Sequence, residues 1–278
     1  LMVNGIVSDK TVKTGKRLRF IYKWALDNIQ CLLMQTKLDA DRIVSLGASP
    51  ERVEVVGNCK FDQESDVLNP EQVEEIRSRY SFSSGQRAFI AGSTNPGEDE
   101  PVLTAFKLAR KAHPDLKLII APRQIERAET IAEMAQAFGF TCGFRSKNES
   151  LTGSEDVVVL DIFGELAAVY SIGDVAFVGG SLIEKGGHNI LQPIAQGKPV
   201  FFGPYTFKAR DLVRQAKAAE VGFEIGSGEE MGERISSLLS DADELERIRV
   251  RALEMISVNR GASRRCAEAI VSAVNRAK

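Results

Sequence analysis

The stretch DVVVLDIFGELAAVYSIGDVAFVGG, from Asp156 to Gly180, decides the fold class. It contains two short apolar runs, VVVL and VAFV, joined by a segment long enough for a helical crossover. Neither run alternates between apolar and polar. Such runs belong to strands buried on both faces, hence to a parallel sheet covered by helices. The same alternation continues outward in both directions. Strands are predicted over Arg52–Val56, Arg87–Ala91, Leu116–Ala121, Val157–Leu160, Asp174–Val178 and Pro199–Phe202, with a weaker one over Val221–Glu224. Helices are predicted over Pro70–Tyr80, Glu98–His113, Ile125–Phe138, Gly164–Ser171, Ile190–Gln196, Ala209–Ala219, Glu229–Leu239, Ala242–Val258 and Ala262–Ala277. This pattern is that of a doubly wound α/β domain.

The chain has 278 residues, 44% of them hydrophobic, enough for one large domain or two smaller ones. Its 36 basic and 38 acidic residues nearly cancel, which argues against a general nucleic-acid binder. Cys31, Cys59, Cys142 and Cys266 form no CxxC pair, and only His113 and His188 add imidazoles. Zinc sites and redox dithiols are therefore not expected, and the thiols read as reduced, in a cytoplasmic compartment. No apolar run is long enough for a transmembrane helix, and no secretory signal is visible.

The chain opens on LMVNGIV, which reads as a strand, so a fragment of a longer protein is expected. Residues 1–62 read as the tail of another α/β domain, too few strands for a stable sheet alone. Residues 63–278 read as the main lobe, entered through the polar QESDVLNPEQ linker, with the last helix expected to cross back to the hinge. Between Lys10 and Trp24, basic residues alternate with Phe20, Tyr22 and Trp24. Such a segment suits an anionic membrane surface or, equally, a solvated helix face.

Four turns at strand ends are candidates for chemistry, because ligands of open α/β sheets bind at the strands' carboxyl ends. Gly179, Gly180 and Ser181 leave one strand, and Gly186 and Gly187 bring bare backbone to a helix start at His188 and Asn189. A helix start of this kind attracts phosphate, with Asn189 as its cap and Lys185 and His188 as further donors. Gly92, Ser93 and Thr94 follow a second strand. Arg123 follows Pro122 at the end of a third and suits fork-like binding of phosphate or carboxylate. Asp161, Ile162, Phe163 and Gly164 leave a fourth, and such a turn can bracket a nucleobase. The blander readings are a tight connection, a capping turn, a surface salt bridge and simple helix initiation. Together the turns make a nucleotide-sugar site plausible without naming sugar or base.

The segments VVGNCKFD, AGSTNPGEDE, DIFGELAAVYSIGDVAFVGGSL and GGHNILQPIAQGKPVFFGP together resemble the 3-deoxy-D-manno-octulosonic acid (Kdo) transferase family, over nearly the whole chain. The resemblance implies a two-lobed GT-B glycosyltransferase. It would move Kdo from CMP-Kdo to a lipid A precursor (lipid IVA) in lipopolysaccharide synthesis, at the cytoplasmic face of the bacterial inner membrane. Inversion at the anomeric carbon, no metal and no cofactor beyond the donor substrate are implied as well. Gly92 and Ser93 match the family's donor-side turn, Arg123 its proline–arginine pair, and Gly164 and Glu165 its glycine–glutamate–leucine turn. Gly180, Ser181, Gly187, His188 and Asn189 match the central signature and are expected to meet the CMP phosphate and ribose. Lys185 takes the basic position before the glycine pair, and Gly57, Asn58, Lys60 and Phe61 match the hinge motif.

Three positions depart from the family pattern. Gln192 stands where a ribose-binding glutamate is usual, Gln124 where histidine is common, and Ile6 where an arginine is expected. Gln192 still offers a carbonyl to one ribose hydroxyl. The family's acceptor lobe, membrane anchor and catalytic carboxylate are expected upstream of Leu1. Arg123 and Lys185 are the expected stabilisers of the CMP leaving group. Two alternatives stay open: a GT-B enzyme using a UDP-sugar, as transferase or epimerase, and a nucleotide-binding fragment without turnover.

Overall fold

The computed structural model describes residues 1–63, 66–83 and 85–276. The chain divides into two compact units, Leu1–Glu64 with Ile256–Lys278, and Ser65–Met255. The first unit begins with β1 (Met2–Gly5), α1 (Asp9–Arg17), α2 (Arg19–Asp27), β2 (Leu32–Met34), α3 (Lys37–Ser45) and β3 (Val53–Val55). Its strands form a parallel sheet in the order β1-β2-β3. Leu32, Met34, Ile43 and Leu46 are buried together on one side of it. Thr36 caps α3 by accepting from the Asp39 N–H at 3.1 Å, and the buried Asp39 carboxylate accepts from the Val7 N–H at 2.8 Å.

The second unit opens with α4 (Pro70–Arg79), started by a reciprocal capping box between Asn69 and Gln72. Then follow β4 (Ala88–Thr94), α5 (Asp99–Ala112), β5 (Lys117–Pro122), α6 (Ala128–Ala137), β6 (Cys142–Phe144) and β7 (Val157–Val159). The chain continues through α7 (Leu166–Val169), β8 (Val175–Val178), α8 (Leu191–Ala195), β9 (Val200–Phe202), α9 (Arg210–Ala218), β10 (Gly222–Glu224), α10 (Gly228–Leu239) and α11 (Ala242–Asn259). Its sheet has the order β10-β9-β8-β4-β5-β7-β6, with every pairing parallel. Apart from the edge strand β6, this is the doubly wound order of a Rossmann-like domain. Phe89, Phe106, Ile120, Val159, Phe177 and Phe201 anchor its core and are fully buried. The switch point lies between β4 and β8, where the chain has finished one side of the sheet and returns to begin the other.

The last helix, α12 (Ala262–Arg276), belongs to the first unit rather than to the lobe it follows in sequence. The Asp62 carboxylate caps its start, accepting from the N–H groups of Gly261 at 2.5 Å and Ser263 at 2.6 Å. Arg265 Nε donates to the Val56 carbonyl at 2.9 Å, and Cys266 Sγ lies 3.8 Å from Cys59 Sγ. The VVGNCKFD stretch is thus the seat of the final helix.

Three elements differ from the sequence expectation. β4 runs on through Gly92 to Thr94, with an irregularity at Ser93 where φ is +56°. The helix expected from Gly164 starts only at Leu166, because Gly164 has φ +94° and no right-handed helix passes through it. β6 was not foreseen; it is a three-residue edge strand with Gly143, a weak strand former, at its centre.

Candidate functional site

The carboxyl ends of β4, β5 and β7 border a cleft of about 240 Å³. Ser93, Arg123, Ile162, Phe163, Gly164 and Gln192, all candidates from the sequence, line it. The bulge at Ser93 supports this placement, since a non-glycine residue in the left-handed region is a strained device common at binding sites. Phe163 is 79% exposed, an apolar ring held in solvent at the rim. Arg123 is exposed. Its backbone N–H donates to the Thr94 carbonyl at 2.8 Å, while its guanidinium has no hydrogen bond or ion pair among the described residues. The Gln192 side chain is likewise without a partner there. The cleft thus offers an uncommitted cation, an uncommitted amide and an aromatic face.

The remaining candidates serve the scaffold, or lie outside this wall. Gly92 makes room for a neighbour: a Cβ there would lie 1.9 Å from Tyr170 Oη. Gly180 and Ser181 were expected to present N–H groups to phosphate, but both donate to the buried carboxylate of Glu98, at 2.6 and 3.0 Å. The Ser181 hydroxyl is also committed, donating to the Val178 carbonyl at 2.7 Å and accepting from the Gly203 N–H at 2.9 Å. The N–H groups of Gly187 and His188 donate to the carbonyls of Gly180 and Gly179 at 2.6 and 3.1 Å. At the expected phosphate-binding helix start, the N–H groups of Gly187 and His188 are thus spent within the turn. Asn189 Oδ1 accepts from the Leu191 N–H at 3.1 Å, and α8 is five residues long, with Ile190 rather than Asn189 in the cap position. Lys185 is exposed, and its ammonium makes no hydrogen bond or ion pair among the described residues.

His188 is half-buried, with Nε2 3.1 Å from Asn95 Nδ2. Burial holds its pKa below the ordinary value; the positive charge of Arg123 acts in the same direction, Glu98 pulls the other way, and Lys208 adds the smallest downward push. This coupling ties His188 to the cleft through Arg123. Lys208, Asn95 and Glu98 were not singled out from the sequence. A buried glutamate and an exposed one look alike in a string of letters, and NPGE reads simply as the start of a helix.

Glu165 also differs from its expected role. Its carboxylate accepts from Arg145 Nε and Nη2 at 2.8 and 2.9 Å and from the Tyr80 hydroxyl at 2.8 Å. Burial pushes its pKa up, but the hydrogen bonds from Arg145 and Tyr80 outweigh it and hold the carboxyl below its ordinary range. A depressed carboxylate stabilises the fold fully above its unfolded-state value near 4.5, and that contribution is lost as pH falls through the lower folded value. Glu165→Gln is expected to cost about 1–3 kcal/mol in urea unfolding at pH 7, with the difference from wild type shrinking in acid. Nucleotide affinity should not change; a selective loss of affinity without loss of stability would restore Glu165 to the ligand site.

Among the described residues, no three His, Cys, Asp or Glu side chains converge as a metal site would require, and no helix is long and apolar enough to cross a membrane.

Known proteins share this fold and much of this sequence. Residues 1–63 match the family model described as 3-deoxy-D-manno-octulosonic-acid transferase (kdotransferase). The chain is 32% identical to the 3-deoxy-D-manno-octulosonic acid transferase of Haemophilus influenzae, over 95% of this chain and 62% of that one. It is 36% identical to a bifunctional glycosyltransferase/methyltransferase of Fusobacterium nucleatum, over 89% of this chain and 38% of that one. The chain thus spans less than two thirds of the length of these relatives. The crystal structure of the C-terminal CMP-Kdo binding domain of WaaA from Acinetobacter baumannii superposes with a TM-score of 0.61 at 26% identity, covering 67% of this chain and 96% of that domain. The fold class is that of the GT-B glycosyltransferases. By sequence, the chain is similar to the 3-deoxy-D-manno-octulosonic acid transferases over most of its own length.

Proposed function

We propose that this chain binds the donor for a glycosyltransferase that moves Kdo from CMP-Kdo to a lipid A precursor, lipid IVA, in lipopolysaccharide synthesis. The observation that carries the reading is the 26% identity to a CMP-Kdo binding domain, sustained over 96% of that domain. The cleft at the β4–β5–β7 edge supports it, with groups suited to each part of a cytidine nucleotide. Phe163 offers a face to the base, and the Gln192 carbonyl accepts from a ribose hydroxyl. Arg123 offers paired N–H donors to the phosphate, with Lys185 and Lys208 as further positive charge. As the bond to Kdo breaks, negative charge grows on the departing CMP. Cations already in place then stabilise the transition state more than the ground state.

The reaction is proposed to invert the anomeric carbon by direct attack of the acceptor hydroxyl, without metal or further cofactor. Leaving-group stabilisation is assigned to this chain; no general base is assigned to it. The acceptor lipid places the enzyme at the cytoplasmic face of the inner membrane. The basic, aromatic segment α1–α2 supports contact with anionic lipid, since Phe20 and Trp24 are each 73% exposed.

Calorimetric titration of the chain with CMP, UDP and UMP tests the donor. Preference for CMP over both uridine nucleotides is expected. A preference for UDP would replace the Kdo donor with a UDP-sugar, and no binding of any of the three would refute a preformed donor site in this chain.

A further inference from the structure

Behind His188 lies a buried polar cluster with a job of its own. Glu98 stands immediately before α5 and is fully buried. Its carboxylate accepts from four backbone N–H groups: Asn95 at 2.9 Å, Gly180 at 2.6 Å, Ser181 at 3.0 Å and Leu182 at 2.9 Å. The loop after β8 therefore closes three consecutive amides around an anion supplied by the protein. This holds the loop in shape before any ligand arrives.

The same carboxylate orients Asn95. Asn95 Nδ2 lies 3.4 Å from Glu98 Oε2 and 3.1 Å from the Ser93 carbonyl, both pure acceptors. Only the NH₂ end of the amide can face them, which settles the amide's orientation. The third neighbour of that NH₂ group is His188 Nε2, at 3.1 Å. An amide nitrogen has no lone pair to offer, so the imidazole Nε2 must be the acceptor. A neutral ring carries one proton, which then sits on Nδ1.

We infer that Asn95 and Glu98 are positioning residues that hold His188 as its neutral Nδ1–H tautomer, leaving that N–H as the ring's one donor. The charged groups around the ring act together. Arg123 at the end of β5 and, to a smaller degree, Lys208 ahead of α9 disfavour a second ring proton, while Glu98 opposes them less strongly than Arg123 acts. A second proton would also point an Nε2–H at the Asn95 NH₂. The use of Nδ1–H toward a donor phosphate rests on the function proposed above; the tautomer does not.

The chain has only two histidines, so nitrogen NMR on histidine-labelled protein reads each ring directly. His113 supplies an internal control. Its Nε2 is 3.0 Å from the Ser236 carbonyl and its Nδ1 is 2.7 Å from Arg87 Nη1, which requires the opposite tautomer. The expected spectrum at pH 8 shows His113 protonated on Nε2 and His188 protonated on Nδ1, with His188→Gln identifying the second set. A proton on Nε2 of His188 overturns the inference. Asn95→Asp replaces the donor by an acceptor. It is expected to move the proton to Nε2 and to raise the titration midpoint above the ordinary histidine value of about 6.5; an unchanged tautomer overturns the role of Asn95. In Glu98→Gln, amide exchange at Gly180–Leu182 is expected to quicken by at least about tenfold, the equivalent of 1.4 kcal/mol. Unchanged protection there removes Glu98 from the proposal. If that variant does not fold, the wild-type spectrum and Asn95→Asp still decide the tautomer. Failure of the wild type to bind CMP would sink the proposed function and leave the tautomer standing.

Discussion

Arg123→Ala is expected to weaken CMP binding by about ten- to a hundredfold, while leaving the unfolding midpoint unchanged. Both halves follow from one feature. The guanidinium lies at the carboxyl end of β5, lines the cleft and is committed to no partner among the described residues. Removing it takes nothing from the fold. A hydrogen bond to a charged group contributes about 1.5–3 kcal/mol, and in affinity this corresponds to the range given. Arg123→Lys keeps the charge but loses the fork, so it should recover only part of the loss. Loss of His188's positive neighbour should also let its pKa rise, since Arg123 is the largest charge acting on that ring after burial. The measurement is a calorimetric titration of both variants beside a thermal melt. Full-strength CMP binding by Arg123→Ala would remove this arginine, and the cleft it lines, from the donor site.

Gly92→Ala is expected to destabilise the second unit by about 1–3 kcal/mol or more, the range for overfilling a packed interior. The added methyl would lie 1.9 Å from Tyr170 Oη, 2.8 Å from Tyr170 Cζ and 3.2 Å from Leu166 Cδ1. Gly92 is on the central strand, paired with Ala121 on one side and Val178 on the other, so its backbone has little freedom to retreat. Tyr170 is itself buried. Tyr170→Phe removes the nearest atom and should return part of the loss in the Gly92→Ala background, but not all, since Cζ remains close. Denaturant unfolding of the four proteins in this double-mutant cycle measures the coupling. An unchanged midpoint in Gly92→Ala, together with weakened CMP binding, would mean that the glycine exists for the ligand after all.

Glycine illustrates how one residue type carried two meanings that the letters could not separate. Gly92 and Gly164 both stood in turns expected to receive a nucleotide. Gly164 has open space around its Cβ position and a positive φ, so it shapes the cleft wall. Gly92 is there for Tyr170. The difference lies in a residue far along the chain. Acidic residues behave likewise: Glu98 and Glu165 each begin a helix in sequence, yet one closes a loop after β8 and the other pairs with Arg145.

The parallel sheet, most of its strands and helices, the family resemblance, and Ser93, Arg123, Ile162, Phe163, Gly164 and Gln192 as cleft residues were legible in the chain's letters. These depend on local periodicity and on turns placed at strand ends, which the doubly wound order brings to one edge. The inward-turned N–H groups of Gly187 and His188 and the hydrogen bonds that join Glu98, Asn95 and His188 were not legible. Each is a question of which distant group satisfies a buried donor or acceptor. Such pairings are set when the sheet closes and desolvation makes every unpaired polar group costly, and no local pattern in the sequence encodes them.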